Sequence, residues 1–192
     1  MARTVVLVEG ASDAAALVAL AARLGRSLET VDLVAMGGVT NLGRYLERHR
    51  GDRVAGLYDA GEERFVLRAL ERAGLLRGSP EAAGFFACVP DLEGELIRAL
   101  GVTGVERVIA AAGELASLRI LRRQPAQRDR TPEEQLHRFM GTRSQRKARY
   151  AHLLAEALDP SSVPRPLAGL LAMVAPDGAT GAGPGARRGS GP

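Results

Sequence analysis

Four short apolar runs, at 4–8, 31–36, 53–58 and 84–89, are each followed by a stretch long enough for one helix. This alternation constrains the fold more than any other feature. "TVVLV" (4–8) is β-branched and almost wholly apolar, the pattern of a strand buried on both faces. The stretches at 12–25, 41–50, 62–74 and 92–101 read as helices. Ser12 and Asn41 are candidate caps, and Gly25 and Gly74 are candidate stops. Strand–helix units of this length build an α/β fold, a mostly parallel sheet flanked by helices. Beyond them the strands cease. Residues 105–121 and 133–158 read as helical across a loop with two prolines, and 163–174 as a last short helix. The expected organisation is an α/β core over 1–118 and a basic helical extension packed on it over 119–175. A Gly/Pro/Ala tail over 176–192 is too poor in apolar surface to order.

Composition narrows the classes. Hydrophobic residues make up 46% of the chain, enough for a core. The single cysteine, Cys88, excludes a disulfide framework and a cysteine zinc site, and lies within the fourth strand as a small core residue. No apolar run of about 18 residues and no basic-then-apolar leader is present, so a soluble, cytoplasmic chain with no membrane partner is expected. The net charge is +4, and residues 119–149 hold ten arginines and lysines against three acids. That segment is either a solvated helical face or a surface for a polyanion such as nucleic acid.

The acids fall at particular places. Ligands of an open parallel sheet bind beyond the carboxyl ends of its strands. Glu9 ends the first strand, Asp59 ends the third, and Asp91 and Glu93 lie just past the fourth. Asp13 occupies the first turn of the first helix, on the same edge. Gathered at about 4 Å, each like-charged pair would cost roughly 1–4 kcal/mol. A hard dication reverses that sign, and an all-oxygen set suits Mg²⁺ or Mn²⁺. Local alternatives exist: a helix-dipole role for Asp13, a cap for Asp91, a solvated first-turn position for Glu93.

"VEGASD" (8–13), "YDAGEE" (58–63) and "PDLEGEL" (90–96) together resemble the motifs of the TOPRIM domain, and "DLE" draws the likeness toward the nucleases of the OLD family. "GTRSQRKARYAHLLAEAL" (141–158) is similar to the basic C-terminal helix of that branch, so the resemblance covers about 4–174. It implies a TOPRIM, Rossmann-like sheet with a C-terminal helical extension. It also implies a Mg²⁺- or Mn²⁺-dependent endonuclease acting on DNA. Glu9 would ligate metal or act on the metal-bound nucleophile. Asp13, Asp59, Asp91 and Glu93 would hold metal. Lys147, the only lysine, would stabilise the scissile phosphate, with Arg146 as its substitute. Arg143, Arg146, Lys147 and Arg149 would contact nucleic acid. The second Asp of the family's Asp-any-Asp pair is Gly61 here, and Glu62 or Glu63 would have to reach the metal instead.

OLD nucleases carry an ATPase domain, whose Walker A loop needs Lys-Ser or Lys-Thr after glycines. Lys147 precedes Ala148, so a stand-alone TOPRIM unit with a separate ATPase partner is expected. Gly61 also motivates an alternative: a catalytically weakened module that binds nucleic acid or a partner in DNA repair or phage defence. A homo-oligomer is left open. A phospho-receiver is disfavoured, because the fourth strand is followed by "PDLE" rather than Ser or Thr. "GGVTN" (37–41) is a phosphate-binding turn or a tight turn with an Asn cap. His49, His137 and His152 lack ligand spacing and read as surface residues.

Overall fold

The computed structural model describes residues 3–141 and 144–175, without the side chain of Ser144. The tail expected to be disordered, 176–192, lies outside the described residues, as does Arg143. β1 (Thr4–Val8) is one of two inner strands, and Val5, Val6, Leu7 and Val8 are at most 1% exposed. β2 (Val31–Ala35) pairs with one side of it and β3 (Arg53–Asp59) with the other. β4 (Phe85–Cys88) pairs with β3, every pairing is parallel, and the order is β2-β1-β3-β4. The apolar runs therefore form the buried parallel sheet that their composition demands.

Alternation along β1 divides the core. Val6 and Val8 face α1 (Ala11–Arg23), α4 (Leu92–Ala111), α7 (Ser144–Ala157) and α8 (Arg165–Val174), packing with Leu20, Leu96, Leu154 and Leu170. Val5 and Leu7 face α2 (Leu42–Arg48) and α3 (Glu63–Arg72), packing with Leu46, Val66 and Leu70. Gly56 is required where β1, β3 and β4 meet. A Cβ there would lie 2.4 Å from the Leu7 carbonyl and 2.9 Å from the Phe85 ring.

Several boundaries differ from expectation. Ser12 does not cap α1; Gly10 is its N-cap, and the Asp13 carboxylate accepts from the Gly10 N–H at 2.9 Å. Asn41 holds the N-cap position of α2 as expected but makes no side-chain cap bond, because its amide is bonded back into the preceding turn. The helix expected at 92–101 does end its regular turn at Gly101, whose φ of +67° is non-helical, and a second helical stretch carries α4 on to Ala111. The single helix expected over 105–121 breaks at Gly113, whose φ of +76° only glycine adopts readily, and resumes as α5 (Leu115–Arg122). The stretch 133–158 divides at Gly141 into α6 (Pro132–Met140) and α7. Among the described residues no helix is long and apolar enough to cross a membrane.

Candidate metal centre

The strand order turns outward in both directions from β1 and β3, which places the crevice of the sheet between their carboxyl ends. Glu9 directly follows β1, and Asp59 ends β3. The loop after β2 fixes the Glu9 backbone, since Gly37 N–H and Gly38 N–H donate to its carbonyl at 2.9 and 3.3 Å. Asn41 Nδ2 then donates to the carbonyls of Met36 and Gly37 at 3.0 and 3.3 Å. These glycine N–H groups serve Glu9 and not a phosphate. Glu9, Asp13, Asp59 and Lys147 line a cleft of about 320 Å³.

A second group adjoins the first. Asp91 caps α4 through Oδ1, which accepts from Gly94 N–H at 2.8 Å, and Oδ2 lies 2.6 Å from His137 Nε2. The Glu93 side chain is 3% exposed, and its Oε2 pairs with Lys147 Nζ at 3.3 Å. Asp91, Glu93 and His137 each present a ligand atom within 4.8 Å of the others. His137 lies at the surface as expected, its side chain 44% exposed, but it is engaged by Asp91, which its spacing in the sequence did not indicate. It meets Asp91 across 46 residues of chain through packing of α6 on α4, so no local spacing advertises it. Lys147 joins the two groups, paired to Glu93 while lining the cleft of Glu9, Asp13 and Asp59.

Gly61, where the resemblance expects a second Asp, has open space at its Cβ position. The neighbouring Glu62 turns inward. Burial and its contact with Glu9 raise its carboxyl, and its Oε2 is buried without a partner. Glu63 instead lies against Tyr58, whose hydroxyl is pushed up to about 12 by burial and by Glu63. The other carboxylates carry the strain of confinement. Asp59 is pushed up to about 7 by burial, then by the charges of Asp91, Glu9 and Asp13, with Lys147 opposing. Burial also raises Asp13 and Glu93, again against Lys147. For Asp91 burial works upward, but the hydrogen bonds from His137 and Gly94 outweigh it and hold it below the usual range. Desolvation works to lower Lys147, and Glu93, Asp13 and Asp59 outweigh it upward.

Confined carboxylates with partnerless oxygens on Glu62 and Glu93 fit a divalent cation. The residues named for nucleic acid divide. Lys147 faces the cleft, whereas Arg146 and Arg149 bind the Glu114 carboxylate at 2.5 and 2.7 Å, and Arg146 also lies over the Phe139 ring. Arg119, Arg123, Arg128, Arg130 and Arg138, on α5, α6 and the segment between them, are exposed.

Comparison with known proteins bears on the fold and on the N-terminal segment. Residues 1–50 match the TOPRIM domain of overcoming lysogenization defect (OLD)-like proteins. The C-terminal region of the Burkholderia pseudomallei OLD protein superimposes with a TM-score of 0.68 at 21% identity, covering 91% of this chain and 97% of that one. The corresponding region of the Xanthomonas campestris pv. campestris OLD protein gives 0.66 at 23% identity, covering 91% and 95%. No curated protein matches at a significant level. The α/β fold expected from the sequence is thus shared with OLD C-terminal regions, and the resemblance drawn from "VEGASD" holds over the N-terminal segment that contains it.

Proposed function

We propose that this chain, with an OLD-like TOPRIM segment on the fold of OLD C-terminal regions, is a metal-dependent phosphodiester hydrolase that nicks DNA. The observation that carries the reading is the gathering of Glu9, Asp13, Asp59 and the only lysine of the chain around one cleft at the switch point of the sheet. Magnesium or manganese bound there would activate a water and neutralise charge on the phosphate. Glu9, Asp13, Asp59 and Glu62 supply oxygen ligands, with Asp91 and Glu93 at the adjoining position. Glu9, on a backbone held by two N–H groups, would also accept a proton from the attacking water. Lys147 neutralises charge on a non-bridging phosphate oxygen, a role that requires it to leave Glu93. The exposed arginines of α5, α6 and the segment between them offer contacts to the DNA backbone. These 192 residues contain no Walker A lysine, so any ATP hydrolysis that accompanies cleavage is contributed from outside them.

The test is relaxation of supercoiled plasmid in Mg²⁺ or Mn²⁺. Glu9→Gln should slow nicking by about 10²-fold or more, and an unchanged rate would overturn the assignment. The absence of the second Asp at Gly61 favours one other reading, a module that binds DNA without cutting it. It expects salt-sensitive binding and intact plasmid with either ion.

A further inference from the structure

We infer that His137 is a metal ligand, completing with Asp91 and Glu93 a mixed nitrogen–oxygen position that takes Mn²⁺ in preference to Mg²⁺. The assignment rests on the acidic rim being a metal centre, and it adds a donor that none of the motif residues provides.

Three features of the geometry carry it. First, His137 is held in place by a well-fixed helix. Thr131 Oγ1 accepts from Glu134 N–H at 3.2 Å while Glu134 Oε2 accepts from Thr131 N–H at 2.8 Å, so the start of α6 is doubly capped. Buried Leu136, Phe139 and Met140 fix its rotation, which leaves His137 turned toward Asp91. Second, Asp91 is held by one oxygen and offers the other. Oδ1 is engaged by Gly94 N–H and Oδ2 points at the imidazole. A Cβ at residue 94 would lie 2.7 Å from the Pro90 ring, so glycine is what allows this cap to close. Third, Glu93 Oε1 is buried without a hydrogen-bond partner among the described residues, while Oε2 pairs with Lys147 at 3.3 Å. A buried carboxylate oxygen left unsatisfied is costly, and a cation seated between Glu93, Asp91 and His137 removes that cost.

The donor set selects the ion. Mg²⁺ holds its water shell tightly and favours oxygen, whereas Mn²⁺ and the later first-row ions accept imidazole beside carboxylates. A cavity of about 550 Å³ between α4 and α6, lined by Asp91, Ile97, Arg98, Arg130 and His137, gives a hydrated ion a way in. The molecule also contains its own control. His49 lies 3.2 Å from Asp52, a His–Asp pair of similar appearance that no third potential ligand joins among the described residues.

The experiment uses the whole chain. Mn²⁺ binding is followed by electron paramagnetic resonance, and imidazole ligation is read from the nitrogen hyperfine coupling in the pulsed spectrum. A nitrogen coupling on bound Mn²⁺ is expected, lost in His137→Ala and kept in His49→Ala. His137→Ala should weaken Mn²⁺ binding by about tenfold or more while Mg²⁺, read by competition, is unaffected. If Mn²⁺ binds without a nitrogen coupling, or His137→Ala binds Mn²⁺ as the parent does, the ligand assignment falls and the carboxylate centre stands. If neither ion binds at all, both fall. The coupling is read on the unsubstituted chain, so its absence refutes the assignment even where the variant folds poorly.

Discussion

Asp59 shows at the scale of one residue what this rim costs. Its carboxyl sits near 7 against an ordinary 3.8, through burial first and then the charges of Asp91, Glu9 and Asp13. An acid whose folded value is raised binds its proton more tightly when folded. Its stabilising contribution is complete below 3.8 and is lost as the pH climbs through about 7. The metal-free chain should therefore lose stability as the pH rises from about 4 to about 7, with Asp13 and Glu93, also raised, adding to the decline and Asp91, lowered, opposing it only at the acid end. Asp59→Asn should flatten that decline and raise the melting temperature at pH 8. A divalent ion should do the same for the parent and have little effect on the variant. Thermal melts across pH check this, and a decline as steep in Asp59→Asn as in the parent refutes it. Glu9 and Asp59 were legible in the sequence because each closes an apolar strand, and strand ends in a parallel sheet share an edge. His137 was not, because its partner is set by how two helices pack, a contact with no periodic trace.

The strands were read nearly to the residue, since each is a short apolar run bounded by turn residues, although β1 and the middle of β3 are buried while β2 is only partly covered. The later helices were placed but not divided. Their breaks at Gly113 and Gly141 lie inside long helix-compatible stretches, where one glycine is weak punctuation until packing turns the chain. The apolar face of α7, with Tyr150 and Leu154, is fixed in the core, and one carboxylate adds a polar tie to it. Glu114 follows the turn at Gly113, is 18% exposed, and receives both Arg146 and Arg149. Lys147 lies between these two arginines in sequence, so the same grip sets its direction. Glu114→Ala leaves two guanidinium groups without that partner and should lower unfolding free energy by about 1–3 kcal/mol, measured by urea denaturation. It should also slow nicking by releasing that tie on α7. A stability loss with full activity would mean that Lys147 is aimed by its own pair with Glu93.

Across the whole molecule the charges segregate. The carboxylates collect at one lip of the sheet, while Arg119, Arg123, Arg128, Arg130 and Arg138 lie exposed on and between α5 and α6. The sequence shows the basic run but not that Arg146 and Arg149, inside it, are spent on Glu114. That division needs the folded chain. If the exposed arginines hold DNA, log K should fall linearly with log salt, and the double variant Arg123→Ala, Arg128→Ala should lower the slope by about two. Titration of fluorescent duplex at several salt concentrations measures it, and an unchanged slope would move the interface elsewhere. The neighbouring lip then has a thermodynamic consequence. Bare, it repels the same phosphodiesters that the arginines attract; loaded, it becomes part of the attraction. Linkage requires the traffic to run both ways, so duplex must tighten the grip on the dication by the factor with which the dication tightens the grip on duplex. A chain built in this way idles when either is scarce and commits only when both arrive.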